Sequence, residues 1–514
     1  MVGAAALAPR VVRTQDRVQT FDFIVIGAGA AGCVLANRLS ADPGARVLLI
    51  EAGPPDKNPA IHAPGKWVSL LGGPLDWNYV TEPEPGLNDR TIRWPRGRTY
   101  GGSSAINAMA YVRGHRLNFA RWAELTGSAW SFDAVLPYFR RLEDNSRGPS
   151  DYRGAGGPLA VSDTADPHAA HHAFLEAARR LGFAARPDWD FNGARQENGA
   201  GFYQKNIRNG RRESTATAFL APALARTNLT VWPNTLVRRV LFTGTRASGV
   251  ECVQGGNVVR PIARRGIGLA AGVIESPKLL MLSGIGPAAA LREAGVNVRI
   301  DAAGVGANLH DHPRMGVRWQ GRTKLPPSTV SAGLITWSSR GPLPVAPDIQ
   351  FYVGRGIDAP DPFITVTVAV SQPRSRGSVT LRSADPQVPP RIRANYYQDA
   401  RDLDAMVRAL ELAIEMAHTP PYDPLRGAAV DPEIASPTPA SLRAFIRRTS
   451  DTIFHPVGTC RMGSDAGSVV DPQLRVRGVD GLWLADSSVM PEVVNCQTMA
   501  ACLMIADRAA EFMT

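Results

Sequence analysis

The sequence predicts an α/β protein, α+β overall: a Rossmann-like dinucleotide-binding domain combined with a second domain built on an antiparallel sheet. Three observations carry this reading. A strand–glycine–helix–strand–acid pattern opens the chain at "FDFIVIGAGAAGCVLANRLSADPGARVLLIEAG". Three later stretches, "QFYVGRG", "FITVTVAVSQP" and "SVTLRS", alternate or run apolar as strands do. A length of 514 residues exceeds one simple core and implies two domains.

In chain order, the first twenty residues, "MVGAAALAPRVVRTQDRVQT", hold an apolar patch too short for a signal peptide's core and then arginines. They read as a frayed leader on a cytoplasmic protein. Residues 23–26 are an apolar run expected as a buried parallel strand. Gly27, Gly29 and Gly32 follow as GxGxxG, with Ala30 and Ala31 inside the pattern, and "CVLANRLS" continues at helical spacing. Glycines there let the backbone turn tightly and approach a pyrophosphate, whose charge meets a helix N-terminus. A second apolar strand, "RVLLI", ends at Glu51 and Ala52, where a carboxylate can accept hydrogen bonds from ribose hydroxyls. This pattern admits NAD or FAD, since both carry an AMP half.

"WPRGRTYGGSSAINAMAYVRG" (94–114) is rich in small and hydroxyl residues. Such a segment suits backbone that passes closely over a flat ring and offers N–H donors to its polar edges. Its candidate contacts are Arg98, Gly102, Ser103, Asn107, Ala108, Met109 and Ala110. The apolar residues among them, with Ala105 and Ile106, argue against a solvated loop.

At this segment the chain resembles the glucose–methanol–choline (GMC) oxidoreductases, flavoproteins that carry a PRG…GGSSxIN stretch beside the flavin. "AAGVIESPKLLMLSGIGPA" (270–288, with Ala271) and "GVGANLHDHP" (304–313) resemble the family's next landmarks. "STATAFLAPALARTNLTVWPNTLVRRVLF" (214–242, with Val237) resembles the segment approaching the adenine. "LADSSVMP" (484–491, with Asp486 and Ser487) resembles the one under the pyrophosphate and ribityl chain. The resemblance implies FAD. Some relatives attach it through a histidine just after the paired serines; Ala105 stands there in this sequence, so non-covalent binding is expected. It also implies a discontinuous FAD-binding domain at 21–160, 214–309 and 460–514. A substrate-binding domain is expected at 161–213 and 310–459.

The chemistry turns on "DTIFHPVGTCRMG" (451–463), where His455 precedes Cys460 by five positions. A metal site needs three or four ligands at workable spacing. The other clusters read otherwise: His310 and His312 as a structural loop, and His168, His171 and His172 as a solvated helix face. No metal is expected. A Cys–His nucleophilic pair needs an acyl-transfer framework that nothing else supports. Oxidising an alcohol needs only a neutral imidazole to take the hydroxyl proton as hydride leaves carbon. The stretch resembles the family's HPxGTCxMG, which implies that His455 is the base and Cys460 a bystander. In the family an Asn or His lies seven residues past the methionine of the Met–Pro pair and hydrogen-bonds the substrate oxygen; counting from Met490 reaches Gln497, with Asn495 the alternative after a local register shift. A helix is expected from Thr498, its N-terminal dipole favouring negative charge on the reduced flavin.

Bulk numbers narrow the partners. Net charge is +11, but the excess is scattered arginine, with only five lysines and no basic block, so nucleic acid is not expected. No apolar run reaches 18 residues, so no membrane span is expected. Five dispersed cysteines without a CxxC pair read as reduced thiols. The expected partners are a small-molecule alcohol and, for the electrons, O₂ or another acceptor. The sequence sets no oligomeric state. Two rivals share the fold: a hydroxynitrile lyase with structural FAD, and a fatty-acid photodecarboxylase. The second relies on a pocket-wall cysteine, and none lies between Cys252 and Cys460.

Overall fold

The computed structural model describes residues 19–339, 341–354 and 360–514. All but the end of the segment read as a leader, and the last two residues of "QFYVGRG", lie outside the described residues.

The apolar run after residue 19 becomes the strand Thr20–Ile26 at the centre of the first sheet. Val47–Ile50 pairs with it in parallel on one side and Ile262–Leu269 on the other. Leu229–Trp232 and Leu482–Leu484 extend the parallel part. Central strands buried on both faces need continuous apolar sequence, and Val47–Ile50 is buried at every position. The hairpin Thr235–Thr243 and Arg246–Gln254 closes one edge in antiparallel pairing. The helix Ala30–Leu39 packs against the last helix, Thr498–Met513. The buried Asp507 of that last helix binds Arg38 Nε at 2.6 Å and Arg141 Nε at 2.5 Å, fixing the helix whose N-terminus faces the site.

The second sheet is antiparallel apart from its edge pair of Ala184–Ala185 with Gly199–Phe202. Its order runs from Arg426–Ala429 through Pro313–Leu325, Asp361–Val370, Ile349–Val353 and Ala332–Thr336 to that edge. Along Pro313–Leu325 the pleat alternates. Met315, Val317 and Trp319 are buried in the core, and Arg314, Gly316 and Arg318 border a cavity. The helix Ala400–Ala417 packs against this sheet. Asp451–Thr452 pairs with the start of Pro313–Leu325, which places His455 at the rim of the sheet. The chain interleaves: first-sheet strands come from 20–50, 229–269 and 482–484, second-sheet strands from 184–202, 313–370 and 426–452.

Candidate active site

A cavity of about 720 Å³ reaches from the glycine turn to His455 and Gln497. At the turn, Gly27 has φ +93°, and a Cβ there would lie 2.6 Å from the Ala270 carbonyl oxygen. Gly32 does not border the cavity, which corrects its assignment as a cofactor contact. Its added Cβ would lie 1.7 Å from the Gly27 oxygen, so it serves the approach of helix to turn. Gly29 is the opposite case: an added Cβ would meet only the Ala270 oxygen at 3.9 Å, in otherwise open space. That cradle lies at the N-terminus of Ala30–Leu39, which has no side-chain cap. Uncapped first-turn N–H groups beside open space fit a pyrophosphate.

Glu51 is 6% exposed; its Oε2 accepts from Ala28 N–H and its Oε1 from Gly53 N–H, both at 2.8 Å. Each oxygen keeps a lone pair for a ribose hydroxyl. Burial pushes the Glu51 carboxyl up to about 7, with the two backbone bonds opposing it. Ala30, Ala31, Ala52, Val237 and Ala271 border the same space. Asp486 and Ser487 border it too, but the Asp486 carboxylate is already used. It accepts from Gly272 N–H (2.8 Å), Ser276 Oγ (2.6 Å) and Ser488 N–H (2.8 Å), which braces the helix Gly272–Leu282.

The wall at residues 96–110 departs from expectation at two places. Arg98 is exposed, with its guanidinium 5.0 Å from the Trp77 ring centroid, and does not border the cavity; Arg96 does. Ala105 lies in an apolar cluster with Ile61, Leu70 and Leu75 and does not border the cavity, whereas Ser103, Ser104 and Ile106 of the same turn do. Gly102, with φ +50°, touches the glycine turn, since a Cβ would lie 2.7 Å from Gly29 Cα. Ser103, Asn107, Ala108, Met109 and Ala110 line the cavity. Asn107 Oδ1 accepts from Met109 N–H at 3.0 Å and from Arg212 Nη1 at 2.8 Å. This leaves its NH₂ toward the cavity, with only the Met499 sulfur 3.5 Å away. Met109 is held at φ +65°, a conformation unusual for a side-chain-bearing residue.

At the other end, Asp311 anchors the segment that carries His455. Its Oδ1 accepts from His455 N–H (2.8 Å), and its Oδ2 from Thr452 Oγ1 (2.6 Å) and Tyr396 Oη (2.5 Å). Thr452 Oγ1 in turn accepts from Phe454 N–H at 2.7 Å, holding Phe454 at φ +69°. The HDHP stretch is therefore more than a structural loop. His310 is structural, its Nδ1 on the Asn308 carbonyl (2.7 Å) and its Nε2 accepting from Val493 N–H (2.8 Å). His312 instead meets His455, Nδ1 to Nδ1 at 3.0 Å. One of these nitrogens donates. With that proton on His455, His312 Nδ1 accepts it, and His312 Nε2 is buried without a hydrogen-bond partner. His455 Nε2 is then an unprotonated acceptor. Burial, then His312, then Arg96 hold His455 well below the usual histidine range.

Gln497 and Thr498 both border the cavity, where Gln497 caps the last helix with its backbone. Its Nε2 donates to Tyr352 Oη at 2.7 Å, and its Oε1 is buried without a partner. Asn495 is spent elsewhere: it accepts from His115 N–H and donates to Gln196 Oε1, both at 2.9 Å. Cys460 is buried and does not border the cavity, whereas Cys502 does. The His168–His172 group is not a solvated face, since His171 is fully buried and stacks on His168 at 3.6 Å. Among the described residues no cluster of three or more His, Cys, Asp or Glu could hold a metal ion. Arg96, Arg212, His312, Asp311 and Tyr352 were not named as site residues from sequence. Arg96, Tyr352 and the HDHP pair lie within stretches quoted from the sequence, and Arg212 does not.

Two family models, both of GMC oxidoreductases, match residues 21–314 and 373–506. The chain belongs to the GMC oxidoreductase family. It is 39% identical to the human mitochondrial choline dehydrogenase over 99% of this chain and 92% of that protein. It is also 39% identical to an oxygen-dependent choline dehydrogenase of Rhizobium etli, over 95% of each. The structure superposes on pyridoxine 4-oxidase from Mesorbium loti with a TM-score of 0.90 and 35% identity, over 96% and 98% of the chains. A formate oxidase variant of Aspergillus oryzae, described for its FAD modification, gives 0.88 at 25% identity over 97% and 99%. As a GMC protein the chain is a flavoprotein oxidoreductase acting on CH–OH groups.

The two helix-turn glycines should separate binding from folding. Gly29→Ala should leave the apoprotein's melting temperature near wild type yet weaken FAD binding at least tenfold in a fluorescence titration. Gly32→Ala should lower the melting temperature of the apoprotein itself, because its methyl has no space to enter. Equal effects of the two would show that Gly29 packs rather than binds.

Proposed function

We propose that the protein oxidises a primary or secondary alcohol to an aldehyde or ketone, using FAD held without a covalent bond. The two sheets then correspond to an FAD-binding domain and a substrate-binding domain. The observation that carries this reading is His455: a neutral imidazole beside the cavity, anchored by Asp311, with one ring nitrogen committed to His312 and the other free. Bound FAD supplies the hydride acceptor. His455 Nε2 takes the hydroxyl proton, and the positive charge that forms is shared with His312 through the Nδ1 contact. Gln497 orients the substrate oxygen. With its amide turned, Oε1 accepts from Tyr352 Oη and the NH₂ faces the alkoxide, which satisfies the acceptor otherwise left bare. The Ser104 and Ala105 N–H groups are spent on Gly101 and Gly102, and the Asn107 NH₂ and the N-terminus at Thr498 offer donors to an acceptor-rich ring edge.

Support for non-covalent binding comes from Ile106 at the cavity, a side chain that forms no bond to a flavin. Electrons pass on to O₂ or another acceptor. Among the described residues no helix is long and apolar enough to cross a membrane. We take the enzyme to act in the cytoplasm.

Acid precipitation should leave a colourless pellet and a yellow supernatant; colour held by the pellet would contradict non-covalent binding. His455→Ala should keep its FAD and reduce it about 10²–10⁴ times more slowly with alcohol, the usual worth of a positioned base. Gln497→Ala should cost about 10²–10³ in the same stopped-flow measurement. Because the pKa of His455 is depressed, the base stays unprotonated as pH falls through the ordinary histidine value. Wild-type flavin reduction should therefore stay flat from about pH 8 to about pH 6. A drop centred near 6.5 would show an unshifted base.

A further inference from the structure

Behind the wall at residues 104–110 sit two buried cations that the proposed reaction does not use. Arg212 is 2% exposed and Lys205 1%. Arg212 Nε donates to the Ile61 carbonyl at 2.6 Å, and Nη1 to Asn107 Oδ1 at 2.8 Å and the Ser104 carbonyl at 3.3 Å. Its Nη2 is buried with no partner. Lys205 pairs by backbone with Ala110, which borders the cavity, and its charge lies close enough to Arg212 to be repelled by it. Neither cation has an acidic partner, and their mutual effect is repulsion. An unpaired charge in a dry interior is costly, and truncated pairs of this kind normally destabilise a protein. Each carboxylate bordering the cavity is engaged elsewhere: Glu51 and Asp486 by backbone, Glu275 by Tyr79 and Lys278, Asp431 opposite Arg318. Positive charge in low dielectric therefore acts across the thin wall on whatever the cavity holds.

We propose that Arg212 is a positioning residue. It locks the Asn107 amide with its NH₂ toward the flavin and, with Lys205, sets uncompensated positive charge behind residues 104–110, making the bound flavin a better electron acceptor. The proposal rests on FAD occupying the cavity. The oxygen of the Asn107 amide is fixed from two sides, by a backbone N–H and a guanidinium that can only donate, so the amide has one orientation. A reduced flavin carries negative charge, which both cations favour over the neutral oxidised ring.

The test is the midpoint potential of the full-length holoprotein at pH 6, equilibrated with a redox dye of known potential. Arg212→Met should shift the oxidised-to-reduced ratio at a given potential at least tenfold toward oxidised, which is about 30 mV for a two-electron couple. Lys205→Met should shift it the same way, and Arg212→Lys by less than Arg212→Met. A purely structural role for Arg212 would lower the melting temperature and leave the potential alone, so holoprotein Arg212→Met with a wild-type potential overturns the proposal. Should Arg212→Met retain no FAD, Lys205→Met decides, and an unchanged potential there overturns it as well. Wild-type protein without flavin would instead contradict the FAD reading itself.

Discussion

The buried carboxylate of Asp311 ties its own segment to two others far away in sequence: Tyr396 donates from one, and the Thr452 hydroxyl and the His455 backbone from the other. Hydrogen bonds to a charged acceptor each contribute about 1.5–3 kcal/mol, which offsets the cost of burying the carboxylate. Burial raises the Asp311 pKa, and these three donors oppose the rise. What they secure is direction. Once the His455 N–H is fixed, and Phe454 is forced into the left-handed region beside it, the imidazole can reach both His312 and the cavity.

The rest of the site follows from excluding competing charge. Burial and two cationic or titratable neighbours keep His455 neutral, so it can accept a proton at ordinary pH. The carboxylates at the cavity are consumed by backbone N–H groups or side-chain donors, as Glu51 and Asp486 show. What remains facing the open space is largely donor: the cradle at Gly29, the Asn107 NH₂ and the uncapped helix start at Thr498. A cavity of donors backed by cations suits a ligand carrying phosphates and a ring that gains negative charge.

Much of this was legible in the sequence where the signal was local. The glycine turn, the strand pair around it and Glu51 lie within thirty-odd residues, and backbone geometry dictates glycine where a Cβ would strike Ala270 or Gly27. His455 and Gln497 were reached by motif and by counting, and both border the cavity. What failed was orientation. In "WPRGR" two arginines sit two apart, and sequence does not say that Arg98 turns out to stack on Trp77 while Arg96 turns in. Nor does it say that Ala105 turns away and Ile106 turns in. Long-range contacts were invisible for a different reason. His312 and His455 are 143 residues apart, and Arg212 lies 105 from Asn107, so only the folded sheets bring them together.

The most direct measurement is anaerobic. The holoprotein is mixed with a panel of primary and secondary alcohols, each also prepared with deuterium on the carbinol carbon, and the oxidised flavin absorbance is followed. Proton removal by His455 with hydride loss from carbon predicts that at least one alcohol bleaches the flavin and that its deuterated form does so several-fold more slowly. A flavin that no alcohol bleaches, in a protein that nonetheless cleaves cyanohydrins, would contradict it.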